Sequence, residues 1–167
     1  MNADLQSRLE KILAEPVKST TAVSGGCIAD SRKLELNSGK LFFLKLARRG
    51  NYDMFDSEEQ GLEELRKAAA VSVPEVVAKD TDFLLLEWIE EGEGNDDSSM
   101  EKLGFQFAEL HRFHADKFGF LQENFLGDSP QINIPSTTGS ENWATFYAEN
   151  RLQYQAELAE KNGYATQ

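Results

Sequence analysis

One lysine and one glutamate stand where their types and spacing suit holding a phosphate. Lys45 interrupts the apolar run Leu41-Phe42-Phe43-Leu44-Lys45-Leu46. Side chains alternate faces along a strand, so Leu41, Phe43 and Lys45 share one face and Phe42, Leu44 and Leu46 the other. Both faces are apolar, so the strand is expected to be covered on both sides, with Lys45 at least partly buried. Downstream, Phe55, Glu58, Leu62, Leu65 and Ala69 fall on one helical stripe, which places the Glu58 carboxylate on the buried side. Glu59, Glu63 and Glu64 read as solvated helix residues. A buried lysine or glutamate without a partner has its pKa driven toward neutrality by up to about 3–5 units. The economical solution is for Lys45 and Glu58 to face each other.

The turn Ser24-Gly25-Gly26-Cys27 precedes this strand. Glycines let backbone N–H groups approach phosphate oxygens closely. Gly25 and Gly26 alone read as a plain hairpin turn; their weight comes from standing ahead of a strand lysine. A glycine turn, a strand lysine and a helix glutamate in this order are how a nucleotide's phosphates are held. Glu87-Trp88-Ile89 closes a second apolar run, 83–89. Glu87 read alone is a solvated strand end. Read as a hinge, the segment offers backbone carbonyl and N–H groups to the edge of an adenine.

Three further features carry reactive or metal-ligating residue types. Cys27 reads first as an inert small residue. In a loop near a phosphate-binding lysine it is also a candidate redox site, with a depressed pKa, able to block nucleotide or bridge two chains when oxidised. His111 and His114 lie three apart on a helix with only acids nearby. A packed, hydrogen-bonded role fits them better than a metal site. Phe118-Gly119-Phe120 resembles a kinase magnesium motif only superficially, because Lys117 stands where the metal-binding aspartate belongs.

The elements that must position these residues follow from the chain in order. Residues 4–14 read as an amphipathic helix stopped by Pro16. Residues 20–24 are β-prone, 28–36 form a second strand, and Asn37-Ser38-Gly39-Lys40 signals a hairpin. Residues 48–53 are a polar loop and 52–70 carry the Glu58 helix. Residues 73–77 read as an edge strand, since Pro74 lacks a donor. The run 83–89 reads as a strand buried on both faces. The acidic, glycine-containing stretch 90–97 reads as a linker. Ser98 and Glu101 have capping-box spacing for a helix whose apolar face is Met100, Leu103, Phe107 and Leu110. Residues 118–135 read as loop, and Ser140 as the cap of a last helix over 141–160 bearing Trp143 and Tyr147.

Composition bounds the partners. With 17 basic and 29 acidic residues the formal charge is −12. That argues against nucleic acid, whose binders carry a basic patch. A single cysteine rules out an internal disulfide framework and suits the reducing cytoplasm. The charged N-terminus reads as no signal peptide. No apolar run reaches the roughly 18 residues of a membrane span.

Together these residues resemble the fructosamine kinase family of ketosamine-3-kinases, relatives of aminoglycoside and choline kinases. The matching pieces are SGGCIADSR, LFFLK, MFDSEEQGLEELR, VPEVV, LLLEWIE, KLGFQFAELHR, DKFGF, NFLGDSPQIN and WATFYAENRLQYQ. The resemblance implies an α+β, protein-kinase-like N-terminal lobe: a five-stranded, mostly antiparallel sheet with the Glu58 helix against it. It implies an ATP-binding lobe at 1–89, a hinge at 90–97, and at 98–167 the first helices of an incomplete C-terminal lobe. Gly25 and Gly26 would lie over the ATP phosphates. Lys45 would contact the α- and β-phosphates, oriented by Glu58, and Glu87, Trp88 and Ile89 would bind adenine. The family phosphorylates the sugar hydroxyl of ketosamines on small molecules and proteins, a deglycation role.

This sequence departs from the family's pattern in one respect that bears on activity. The family's His-Gly-Asp-Leu-Trp loop and later magnesium-binding aspartate are absent: His111 precedes Arg112 and His114 precedes Ala115. Phosphoryl transfer needs a residue to position the hydroxyl and metal ions to neutralise charge. Residues 134–138 also differ, where the family has a tryptophan-containing segment. The expectation is therefore a truncated, inactive form, with magnesium held only alongside the missing lobe. Two alternatives are a non-catalytic module that self-associates through the exposed Phe107 and Trp143 helices, and a fragment of an aminoglycoside- or choline-type kinase.

Overall fold

The computed structural model describes residues 1–24, 29–47, 54–90, 92, 97–127, 129–135 and 142–164. These form two compact units, Met1–Arg112 and Phe113–Gln167. The compositional break at 90–97 falls inside the first of them.

The first unit is a sheet with a helix on each face. Its elements are α1 (Ala3–Leu13), β1 (Val17–Ala22), β2 (Asp30–Leu36), β3 (Leu41–Leu46), α2 (Met54–Lys67), β4 (Val76–Lys79), β5 (Phe83–Glu87) and α3 (Asp97–Arg112). The strand order is β1-β2-β3-β5-β4, so the lysine-bearing strand lies at the centre. The expected mostly antiparallel sheet is antiparallel in every pair.

The Asn2 side chain caps α1 by accepting from the Leu5 N–H at 2.8 Å, and Ala14 ends it at φ 55°. One face of α1 buries Leu5 and Leu9 against Leu34, Leu36, Phe42, Leu44, Phe83 and Leu85. Each such leucine contributes about 1.5–3 kcal/mol of transfer free energy. On the opposite face α2 buries Phe55 against Leu84 and Leu86, with Phe43, Met54, Leu62 and Val76 packed around them. The alternation read along β3 is thus realised as two separate cores. β1 begins at Val17, earlier than the β-prone residues 20–24 suggested. The Glu10 carboxylate accepts the Val17 N–H at 3.0 Å, and the Lys18 ammonium and Ser19 hydroxyl both donate to Glu35 on β2. The hairpin at 37–40 is closed by the Gly39 N–H on the Leu36 carbonyl, with Gly39 at φ 87°.

Three expectations for this unit are corrected. α2 ends at Lys67, because Ala69 adopts φ 50°, a left-handed turn that closes the helix. Ala69 is thereby lost from the stripe; Leu65, still inside the helix, is exposed, so the packed part of the stripe runs from Phe55 to Leu62. The edge strand β4 starts at Val76, because the carbonyl of Pro74 is taken by Arg66. Finally, α3 begins at Asp97, one residue before Ser98. Its exposure matches the exposed Phe107 helix read from the sequence: it buries none of its residues, and Met100, Leu103 and Phe107 are each more than half exposed.

The second unit holds a hairpin where loop was expected. β6 (Asn124–Leu126) pairs with β7 (Ser129–Gln131), with Phe125 opposite Pro130. Asn133, 2% exposed, holds the hairpin's base. Its amide donates to the Gln122 carbonyl and to Asn124 Oδ1, while its Oδ1 accepts from Arg151 at 2.7 Å. Glu123 accepts the Asn133 and Ile134 N–H groups. Gly119, at φ 106°, passes so close that a Cβ there would meet the Asn133 carbonyl oxygen at 2.1 Å. The last helix is capped by Asn142, whose side chain accepts from Ala144 and Thr145. Ser140, the expected cap, lies outside the described residues. The helix is composite: α4 (Trp143–Tyr147), a π-helical segment (Ala148–Gln153) and α5 (Tyr154–Lys161).

Carboxylates fasten the first unit. The Arg8 guanidinium of α1 grips Asp82 through two bonds of 2.9 and 2.8 Å and Asp80 through one of 2.6 Å, in the β4–β5 turn. The Thr81 N–H and then Arg8 hold the Asp80 pKa below its ordinary 3.8. Gln6 and the Val17 N–H do the same for Glu10, and Lys18 for Glu35, below 4.5. Depressed folded pKa values mean that this stabilisation is present above the ordinary values and lost as pH falls through the lower folded ones. The melting temperature is expected to hold from neutrality to about pH 5 and to drop steeply below pH 4. Circular-dichroism melts across that range check this; a flat profile down to pH 3 would contradict it.

Candidate functional site

Lys45 stands on the central strand between Ser31 of β2 and Leu84 of β5. Leu84 is fully buried on the α2 side, so the lysine's stem runs through apolar surroundings. Glu58 lies on α2 close to one turn beyond the buried Phe55, which fixes its direction toward the sheet. The Lys45 ammonium and the Glu58 carboxylate form an ion pair, with the two side chains only 26% and 24% exposed. The pairing expected from alternation and stripe is present. The ammonium also sits 6.0 Å from the centre of the Phe43 ring.

Beside the pair opens a cleft of about 400 Å³. Val23, Phe43, Leu62, Pro74 and Leu86 supply apolar walls, Lys45, Glu58 and Glu87 supply charge, and Trp88 and Ile89 complete the lining. Five of the seven candidate nucleotide-binding residues therefore surround one space. Gly25 and Gly26, together with Cys27, lie outside the described residues. Past the end of β1, the Val23 N–H donates to the Ser31 carbonyl of β2 at 2.9 Å.

Glu87, Trp88 and Ile89 differ in what they offer. Glu87 is exposed; its N–H donates to the Glu75 carbonyl and its carboxylate accepts the Glu75 N–H, tying the β4 side of the cleft. The pairing of β5 with β3 ends at Glu87, so Trp88 and Ile89 continue beyond the ladder. The Trp88 ring tilts against Phe43 with centres 6.2 Å apart, and the Lys33 ammonium lies 4.6 Å over it. The Trp88 indole N–H is buried without a hydrogen-bond partner. Ile89 is 55% exposed.

Two contacts escaped sequence reasoning. Glu59, expected to be solvated, is half-buried and pairs with Lys79 of β4, which also holds Asp56. The signal was the three-residue spacing of Asp56 and Glu59, but nothing in the sequence tells which strand lies opposite. Lys33 over Trp88 depends on the register of β2, equally hidden. Elsewhere, His111 packs edge-on to the Phe107 ring with centres 4.4 Å apart.

A five-stranded antiparallel sheet, a helix that ion-pairs with the central strand's lysine, and a cleft beside that pair make up a kinase-like lobe. The description of the fructosamine kinase family matches residues 1–167, and the chain belongs to that family. It is 35% identical over 150 residues to a probable ketoamine kinase of Synechocystis, covering 87% of this chain and 49% of the relative. The chain thus spans about half the length of that relative. The crystal structure of a fructosamine-3-kinase-type protein from Thermobifida fusca superposes with a TM-score of 0.83 at 24% identity, over 99% of this chain and 57% of that one. The streptomycin–ATP–APH(2")-IIa ternary complex superposes with a TM-score of 0.51 at 18% identity, over 70% of this chain and 42% of that one. These two likenesses establish the protein-kinase-like fold.

Lys45 and Glu58 are three-quarters buried rather than fully so. Breaking the pair is therefore expected to cost more than the ~1 kcal/mol of an exposed pair but less than the ~3–5 kcal/mol of a fully buried one. Lys45→Met should lower the unfolding free energy of the chain by about 1–3 kcal/mol in urea titrations. An unchanged midpoint would show the pair to be solvated.

Proposed function

We propose that this chain forms the ATP-binding part of a kinase that phosphorylates the sugar hydroxyl of ketosamines, the sugar adducts of free or protein-bound amines. The observation that carries this is the Lys45–Glu58 pair at the wall of the cleft that ends at Trp88 and Ile89. The cleft's size suits a nucleotide, since ligand sites run about 300–1,000 Å³. Its apolar walls suit a base, and its ammonium suits phosphate oxygens. Lys45 holds the phosphates, Glu58 orients Lys45, and the backbone at Glu87, Trp88 and Ile89 binds the edge of the adenine. Gly25 and Gly26 close over the phosphates. Residues 1–89 are the ATP-binding lobe, 90–97 the hinge, and 98–167 the start of a helical lobe. The relatives' names, ketoamine kinase and an ATP complex, support both the donor and the acceptor. A single cysteine and the lack, among the described residues, of a helix able to cross a membrane are compatible with the cytoplasm.

ATP supplies the phosphoryl group when bound. The 167 residues contain no His-Gly-Asp string to position a hydroxyl. Magnesium ligation is assigned on this reading, like the His-Gly-Asp string, to the part of the family's pattern that these residues do not contain. On this reading the 167-residue chain binds ATP weakly and transfers nothing. Calorimetric titration should detect ATP binding that Lys45→Met weakens by about tenfold or more, the ~1.4 kcal/mol or more of a charge-assisted contact. Equal binding by both proteins, or phosphorylation of a fructosamine by this chain, would overturn it.

A second reading is favoured by α3, which buries none of its residues while exposing Met100, Leu103 and Phe107 along one side. Contiguous apolar surface of this kind promotes association. Two copies are proposed to meet through it. Sedimentation should then give a species near twice the 18.7 kDa chain mass; a monomer at all concentrations would exclude it.

A further inference from the structure

Lys45 and Lys79 flank the same residue. Leu84 of β5 pairs with Lys45 of β3 on one side and with Lys79 of β4 on the other. Cα partners in neighbouring strands project to the same face, so both lysines rise toward α2, roughly 10 Å apart across the two strand spacings. Each meets the helix through acid groups: Lys45 meets Glu58, and Lys79 meets Asp56 and Glu59, the latter at 2.5 Å. Neighbouring helix positions point about 100° apart, whereas positions three apart share a side. Glu58 and Glu59 are therefore rival partners for Lys45, distinguished only by how α2 is rotated about its axis.

We propose that Lys79 is a positioning residue for the phosphate site: by holding Asp56 and Glu59 it fixes the rotation of α2 and delivers Glu58, not Glu59, to Lys45. The side chain suits this task, being only 24% exposed and bonded to two carboxylates one helical turn apart. Those hydrogen bonds, Asp56 first and Glu59 second, hold its pKa above the ordinary lysine value, so it is charged at neutral pH. Buried apolar contacts do not fix the rotation by themselves, because Phe55 is the only α2 residue that is fully buried. The inference rests on the ATP-binding reading for its functional consequence, but the helix rotation is a property of the chain alone.

Competitive acetylation with acetic anhydride, read by peptide mass spectrometry, measures how well Lys45 is shielded without any nucleotide. Lys79→Met should raise the Lys45 acetylation rate about two- to five-fold, the weight of a partly exposed ion pair. Lys79→Arg, which keeps the charge, should restore it. Arg8→Met removes a comparable clamp from the opposite face of the same hairpin. It should lower the melting temperature and leave Lys45 reactivity unchanged, separating positioning from stability. If Lys79→Met does not fold, the double substitution Asp56→Asn with Glu59→Gln removes the same contacts with Lys79 in place. Wild-type Lys45 reactivity in a folded Lys79→Met or double variant would overturn the proposal.

ATP titration separates the two levels of the account. Weaker ATP binding in Lys45→Met but not in Lys79→Met would defeat the positioning role and leave the ATP site standing. Equal ATP binding by wild type and Lys45→Met would defeat the ATP site, and acetylation alone would then decide the role of Lys79.

Discussion

A charge inside an apolar strand is the constraint on which the lobe depends. β3 lies at the middle of the sheet, with α1 over one face and α2 over the other. Placing Lys45 there costs desolvation that apolar neighbours cannot offset, so the sheet face must be roofed by an element carrying a carboxylate. α2 is that roof. Its apolar contacts with the sheet are few, and its acids are spread over the side that meets two lysines. The helix is thus held to the sheet by charge as much as by packing, while α1 on the other face is held by a full apolar core and by Arg8.

The same constraint links fold to function. A lysine that is compensated but not consumed by its partner remains available to an anion in the cleft. Phe43, two residues before Lys45 on the same face, supplies the wall against which Trp88 tilts. One strand face therefore contributes both the cation and part of the apolar surface, and a ligand with a charged end and a flat apolar end fits that pairing. Membership of the fructosamine kinase family and the kinase-like fold are consistent with this division of labour.

Much of this was legible in the sequence, for identifiable reasons. The alternation along residues 41–46 and the spacing of Phe55, Glu58 and Leu62 are local signals, and they placed the pair correctly. The continuous apolar run at 83–89 announced a doubly covered strand, and β5 is one. What could not be read was long-range. No local pattern says that β5 inserts between β3 and β4, so the Lys79 contacts with Asp56 and Glu59 were invisible and Glu59 passed for a solvated residue. The hairpin at Asn124–Gln131 was missed because polar bonds to Asn133, not alternating apolar residues, hold it. The α2 stripe was drawn too long because Ala69 takes a left-handed conformation that an alanine gives no reason to expect. The apolar stripe of α3 was legible as a stripe, yet periodicity reports only that a face exists, not what covers it.

The central claim is that the face bearing Phe43, Lys45 and Trp88 receives a nucleotide. Its most direct test is amide chemical-shift mapping of the isotopically labelled chain during titration with a non-hydrolysable ATP analogue. The account predicts saturable shifts concentrated at Phe43, Lys45, Leu86, Trp88 and Ile89, with the α1 face of the sheet unmoved. Shifts confined to other surfaces, or none at millimolar analogue, would contradict it.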